Sequence, residues 1–144
     1  MKLNEVMTDW VEVVHPEAKL VEAARKMKDL NIGSLPVCDG KKLLGMITDR
    51  DITVRAVAGS QELSRLTVQE VMTPDVVYCF DDQDVEKAAQ IMADNQLRRL
   101  PVLSRTDHQL VGIVALADLA VQVSDAEVAN SALEGISTPA HPKR

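Results

Sequence analysis

The sequence predicts an α+β fold in which two β-α-β-β-α repeats pack sheet to sheet with pseudo-twofold symmetry. Three observations lead to this prediction, and the first two are a four-residue motif that occurs twice and a series of matching residues that follows it in the same order in each half. The third is length, because a half of about 65 residues has a marginal core by itself. Packing the two halves against each other would bury the missing apolar surface.

The motif is EVMT, which occurs at residues 5–8 and again at 70–73. The residues that follow it match at the same spacing, and after a two-residue insertion they match again. The matching positions are Ala23, Ala24 and Met27 with Ala88, Ala89 and Met92, L-P-V at 35–37 with L-P-V at 100–102, Gly45 with Gly112, and Asp51 with Asp118. Matches that keep their order through both halves indicate a tandem duplication.

The repeat boundaries predict a first domain at residues 1–62 and a second at 63–124. We expect a C-terminal tail at residues 125–144 to be mobile, because the repeat pattern fades there and the last residues are polar and proline-rich.

Each repeat is expected to open with a short strand rich in β-branched residues, at 10–14 and at 76–80. A helix follows, and its buried face is marked by apolar residues at helical spacing. These residues are Leu20, Ala23, Ala24, Met27 and Leu30 in the first copy, and Val85, Ala88, Ala89 and Met92 in the second.

Two more strands follow in each repeat, near 34–38 and 43–48 in the first and near 99–103 and 109–114 in the second. Asp39 and Gly40 between the first pair are a hairpin signal. A second helix then closes each repeat.

Composition excludes several functional classes. The net charge of −6, without a long basic run, argues against a nucleic-acid partner. No apolar run approaches the roughly 20 residues that cross a bilayer, and the N-terminus lacks the apolar stretch of a signal peptide, so we expect no membrane partner and a cytoplasmic location. Cys38 and Cys79 lie in apolar segments and are expected to be buried.

This arrangement resembles the CBS domain, and the chain over about residues 3–122 looks like a tandem CBS pair, or Bateman module, that stands alone. The resemblance rests on the V-M-T motif, the L-P-V strand and the G-h-h-T-x-x-D pattern, where h is apolar, at residues 45–51. It implies a regulatory module that binds an adenosine-containing ligand (AMP, ADP, ATP, NAD(H) or S-adenosylmethionine) in clefts between the repeats. The nucleotide would be a regulatory ligand rather than a covalent cofactor.

The resemblance also implies roles for individual residues. The Asp of T-x-x-D would hold the ribose hydroxyls and the Thr would lie near the phosphates. The first strand of the other repeat would line the adenine pocket, and basic residues just before its L-P-V segment would reach the phosphates. The first cleft would therefore consist of Thr48, Asp51, Val76, Val77, Arg98 and Arg99.

The second cleft is expected to be weaker. It would use Asp118 and Val11, but Ala115 stands where Thr48 stands in the first copy. The positions that correspond to the two arginines are Gly33 and Ser34, which carry no charge. The sequence therefore predicts one competent nucleotide site and one degraded site.

A simpler interpretation of Thr48 and Asp51 is a capping arrangement at the start of a helix. The simpler interpretation of Arg98 and Arg99 is two solvated charges, one of them paired with Asp94. These interpretations lead to an alternative function, a structural dimerisation module with vestigial clefts.

The sequence offers no catalytic residue and no metal-ligand spacing, so we expect a protein that is not an enzyme. The histidines are far apart in the chain, and a metal site would require the fold to gather them with Cys38 or Cys79. Because CBS pairs commonly dimerise, the resemblance implies a homodimer that signals to an unknown effector protein.

Overall fold

The computed structural model describes residues 1–59, 62–122 and 126–138, which form an α+β fold with two three-stranded sheets. The elements in chain order are α1 (Leu3–Val6), α2 (Leu20–Leu30), β1 (Ser34–Asp39), β2 (Lys42–Thr48), α3 (Asp49–Asp51) continued by a π-helix (Ile52–Val57), a 3-10 turn (Leu63–Arg65), α4 (Val68–Val71), β3 (Thr73–Pro74), β4 (Cys79–Phe80), α5 (Val85–Asn95), β5 (Arg99–Leu103), β6 (Leu110–Ala115), α6 (Leu116–Gln122) and α7 (Ala126–Ser137).

The two sheets have the strand orders β1-β2-β3 and β4-β5-β6. In the first sheet both pairs are antiparallel. In the second sheet β4 runs parallel to β5, and β5 pairs antiparallel with β6. The turn between β1 and β2 follows the predicted hairpin signal, since Gly40 adopts a positive φ of 61° that glycine tolerates without steric cost.

The chain forms two compact units whose boundaries differ from those of the repeats. The continuous unit is Glu12–Val76, and the split unit combines Met1–Val11 with Val77–Arg144. Each EVMT motif therefore belongs to the unit built mainly from the other repeat. Domain boundaries at residue 62 follow the duplicated sequence, whereas the packing exchanges the motif-bearing segments.

Backbone hydrogen bonds hold these exchanged segments. In the split unit, Thr8 and Ile113 donate to each other's carbonyl oxygens at 2.8 and 2.9 Å. At the matching positions of the continuous unit, Thr73 pairs with Met46 as part of β3. The EVMT motif thus supplies an edge segment to a sheet in both units, a role that sequence reasoning did not assign to it.

Each unit has its own aliphatic core. The core of the continuous unit includes Leu20, Ala23, Met27, Leu35, Val37, Ile47, Val68 and Val71. The core of the split unit includes Leu3, Val6, Val85, Ala88, Ala89, Met92, Leu100, Val102 and Leu119. The predicted helix faces are confirmed except at Ala24, which is half-buried, and at Leu30, which is exposed at the end of α2.

The predicted opening strands are much shorter than expected. Of residues 10–14, Val14 forms an isolated parallel bridge to Val37, and of residues 76–80, Cys79 and Phe80 pair with β5. The chain passes from one unit to the other at the start of both stretches, so only the end of each reaches its sheet.

Part of the segment expected as a mobile tail is helix α7. Its residues Val128, Ala129 and Ala132 are buried in the core of the split unit. The described residues of the first repeat contain no counterpart of α7, so the duplicated pattern could not indicate this helix. Residue 125 and residues 139–144 lie outside the described residues.

The described helices include none with both the length and the apolar character needed to cross a bilayer.

Candidate functional site

The predicted ribose-binding motif lies at the point where β2 becomes α3. Thr48 is the last residue of β2 and has an extended backbone with φ −120° and ψ 161°. Its hydroxyl oxygen accepts from the backbone N–H of Asp51 at 3.0 Å. In return, Asp51 Oδ2 accepts from the backbone N–H of Thr48 at 3.0 Å. This reciprocal pair is a capping box, and it fixes the carboxylate of Asp51.

The carboxylate of Asp51 is largely buried but keeps one oxygen available. Its side chain is 13% exposed. Oδ1 lies 3.6 Å from Nη2 of Arg55, which is an ion-pair distance and too long for a hydrogen bond. An ionised carboxylate is a pure acceptor with about four lone-pair sites, so Oδ1 can accept from a ligand hydroxyl.

Arg55 joins Asp51 to the end of α4. Its Nη1 donates to the carbonyl oxygen of Val71 at 2.9 Å, while Nη2 faces Asp51. No role was assigned to Arg55 from the sequence. The signal was present, because an acid and a base four residues apart share one face of a helix.

The second repeat keeps half of this arrangement. Asp118 Oδ2 accepts from the backbone N–H of Ala115 at 2.8 Å, but the methyl group of Ala115 cannot return a hydrogen bond. The preceding backbone contact is the same in both units. Asp49 N–H donates to the Gly33 carbonyl at 3.0 Å, as Leu116 N–H donates to the Arg98 carbonyl at 2.8 Å.

Arg99 is the first residue of β5 in the split unit and Arg98 directly precedes it, and both are exposed. Within residues 1–59, 62–122 and 126–138, neither guanidinium has an ion pair or a hydrogen bond. Asp94, the partner that the simpler interpretation suggested, instead accepts from Gln90 Nε2 at 2.7 Å. The two cations therefore remain available for an anion. Their assignment to the Asp51 cleft stays a prediction.

The predicted adenine-lining residues lie where the chain crosses between units. Val76 ends the continuous unit and is half-buried, and Val77 begins the second segment of the split unit and is exposed. Val11 is half-buried at the end of the first segment. Their role in holding a base also stays a prediction.

Other charged and aromatic groups form a separate cluster in the split unit. Arg105 donates from Nε and Nη2 to the carboxylate of Asp82 at 2.9–3.1 Å, and these hydrogen bonds lower the pKa of Asp82. The same guanidinium lies 4.2 Å from the ring centre of Phe80. Because these groups satisfy one another, we assign the cluster a structural role.

Among the described residues, no group of three His, Cys, Asp or Glu side chains could hold a metal ion. His15 is 3.6 Å from Asp39, and His108 contacts Phe80, so these two histidines are in different surroundings. His141 lies outside the described residues.

Comparison with known proteins identifies the family. The CBS domain model matches twice, at residues 3–57 and 68–125. The CBS domain-containing protein YhcV of Bacillus subtilis is 42% identical over 135 residues, which cover 94% of either chain.

Two solved structures are similar to this chain. Hypoxic Response Protein I with two coordinated zinc ions has a TM-score of 0.76 and 34% identity, over 83% of this chain and 97% of that one. The CBS domain pair of protein MJ0100, in complex with 5′-methylthioadenosine and S-adenosyl-L-methionine, has a TM-score of 0.72 and 28% identity, over 83% and 93%. With two family matches that cover most of its length, this chain belongs to the CBS-domain family and carries two CBS domains in tandem.

Proposed function

We propose that this chain is a regulatory binding module that senses an adenosine-containing ligand, namely AMP, ADP, ATP, NAD(H) or S-adenosylmethionine. The response would pass to a partner protein or through the chain's own dimerisation. The observation that carries the proposal is the carboxylate of Asp51, which Thr48 fixes in place while Oδ1 keeps the capacity to accept a hydroxyl hydrogen.

The chemistry of this carboxylate suits a ribose. Two vicinal hydroxyls offer two O–H donors close together, and hydrogen bonds to a charged acceptor are about twice as strong as neutral ones. The low exposure of Asp51 limits competition from water. The MJ0100 pair supports an adenosyl ligand, since both compounds in that complex contain adenosine.

We assign the phosphate contacts of a charged ligand to Arg98 and Arg99. Both guanidiniums lack a partner in the described part of the chain, and the planar guanidinium suits bidentate contact with phosphate oxygens. On this proposal, Arg98→Ala and Arg99→Ala weaken the binding of ATP more than the binding of adenosine, because adenosine has no phosphate.

The proposal is tested by thermal unfolding with AMP, ATP, NADH and S-adenosylmethionine. A ligand at 100 times its Kd adds about 2.7 kcal/mol, which corresponds to roughly 5 to 10 °C for a chain of this size. Asp51→Asn is expected to abolish the shift, because an amide oxygen is a weaker acceptor and the amide group adds donors that a hydroxyl pair does not need.

Asp118→Asn is the matched control, because Asp118 makes the same backbone hydrogen bond in the second repeat. Without ligand, Asp118→Asn should lower the unfolding temperature about as much as Asp51→Asn does. It should leave the ligand-induced rise in unfolding temperature unchanged. A lack of any shift with the four compounds at millimolar concentration would remove the proposed function.

One observation favours a second function. The capping box satisfies Thr48 and Asp51 without a ligand, which is what a structural dimerisation module with vestigial clefts requires. A stable dimer by light scattering, combined with no nucleotide-induced shift, would support this alternative.

A further inference from the structure

Arg55 contacts two different partners although its side chain lies at the protein surface. It is the fourth residue of the π-helix that follows α3, and about half of its side chain is exposed. Its two terminal nitrogens nevertheless serve different partners. Nη1 donates to Val71 at 2.9 Å, and Nη2 lies 3.6 Å from Oδ1 of Asp51.

The contact with Val71 meets a local need. Val71 is the last residue of α4 and is buried, and the final carbonyl groups of a helix have no partner within the helix. A basic side chain that donates to such a carbonyl stabilises the helix end. Residues 71–74 lead directly from α4 into β3, the edge strand of the first sheet.

The contact with Asp51 orients the guanidinium. Arginine carries its donors in a rigid planar fork, so holding Nη2 near Asp51 also fixes the direction of Nη1. A lysine could satisfy one of the two partners, but its single ammonium could not hold both in this geometry.

We propose that Arg55 couples the state of the Asp51 carboxylate to the order of residues 71–74. Its ligand-dependent part rests on the proposed function. A ribose hydroxyl that donates to Oδ1 lowers the electrostatic attraction that this oxygen exerts on the guanidinium 3.6 Å away. Occupancy therefore weakens the anchor that Asp51 gives Arg55, and the hydrogen bond to Val71 loosens with it.

The second repeat supplies an internal comparison. The residue four positions after Asp118 is Gln122, which carries no charge. The segment that matches residues 71–74 is residues 6–9. We therefore expect the coupling in the first repeat and its absence in the second.

The coupling is measurable without a ligand, by hydrogen–deuterium exchange of the full chain. The reporting peptide spans residues 68–75 and contains the Met72 amide, which donates to the Val68 carbonyl in α4. Asp51→Asn should speed exchange of this peptide by about threefold to tenfold, the range given by one ordinary net hydrogen bond. In an Arg55→Ala background the same substitution should have no further effect.

In an Arg55→Lys background the effect of Asp51→Asn on exchange should be intermediate. This background replaces Arg55→Ala if the alanine variant fails to fold. Asp118→Asn should leave exchange of residues 6–9 unchanged. Equal acceleration by Asp51→Asn in both backgrounds would overturn the coupling, because it would show that the carboxylate acts without Arg55.

The ligand arm repeats the exchange with the compound, among AMP, ATP, NADH and S-adenosylmethionine, that stabilises the protein most. The expected result is faster exchange at residues 68–75 with arginine at position 55 and no change with alanine. Binding without that local change would overturn the ligand-dependent part and leave the proposed function intact. If no compound binds, the proposed function is wrong. The exchange measurements without ligand, with arginine or alanine at position 55, still test the role of Arg55.

Discussion

Cys38 and Cys79 show how burial controls the chemistry of a single side chain. Cys38 lies in β1 and Cys79 in β4, and both are at most 2% exposed. Burial raises the pKa of each thiol to about 11, because an apolar environment disfavours the thiolate. Since the thiolate is the reactive form, both thiols should be inert in the folded protein.

We predict that both cysteines react slowly with a thiol reagent such as DTNB at about pH 8, where roughly one thiol in a thousand would be ionised. Two equivalents should react rapidly in denaturing guanidinium chloride, which serves as the control. Rapid labelling of either cysteine in the native protein would show that its strand opens readily.

Some features of the candidate site could be predicted from the sequence and others could not. Asp51 was found because the duplication repeats it as Asp118, and Thr48 was found because it completes the G-h-h-T-x-x-D pattern of the first copy. The hydrogen bond from Arg55 to Val71 was not predicted, because it joins residues that are 16 positions apart in the chain and meet only in the folded continuous unit. Leu30 fits the apolar spacing of α2 but is exposed, because the helix ends there and the core does not extend past Met27.

Helix α7 depends on an unusually close approach to α5. A Cβ atom placed on Gly135 would lie 2.7 Å from Cα of Ala93 and closer still to its Cβ. The side chain of Gln96 donates to the carbonyl of Thr138 at 2.6 Å and so holds the end of α7. The small residues Gly135 and Ala93 thus permit this helix to cover the split unit.

We predict that Gly135→Ala destabilises the protein by about 1 to 3 kcal/mol, the usual cost of overpacking. The sign of the change in unfolding free energy distinguishes the two cases, because replacing glycine by alanine in an exposed helix would instead stabilise the protein by about 1 kcal/mol. The measurement is urea unfolding, with Asn130→Ala on the exposed face of α7 as the control. A gain in stability for Gly135→Ala would contradict the close contact.

The hairpin strands inside the repeats were predictable, whereas the full length of the opening strands and the presence of helix α7 were not. The four hairpin strands follow the expected positions within one or two residues, because short apolar segments bounded by turn residues are local signals. Helix α7 carries small residues at its buried positions, Ala129 and Ala132, which give little hydrophobic contrast. Its burial depends on α5, about 40 residues earlier in the chain.

At the scale of the whole molecule, the two repeats differ in the capping arrangement around their aspartates. Only the first copy has both a hydroxyl at the capping position and a carboxylate three residues later. We predict that calorimetry gives one bound nucleotide per chain for a phosphate-bearing ligand.

Asp51→Asn should remove this binding event and Asp118→Asn should preserve it. Two events of equal affinity would show that the hydroxyl of Thr48 is dispensable. Ala115→Thr restores the missing hydroxyl in the second repeat, so any gain of a second event in that variant would measure its contribution.

The exchange of EVMT segments between units has a consequence for biosynthesis. Thr8 is translated early, yet its partner Ile113 follows about 105 residues later, which takes on the order of 5 to 20 s at ordinary ribosomal rates. Both strand pairings of the first sheet lie within Glu12–Val76, so this unit is expected to fold while the ribosome is still making the rest. Met1–Val11 waits for its partners throughout that interval, so Glu12–Val76 is expected to fold before the split unit.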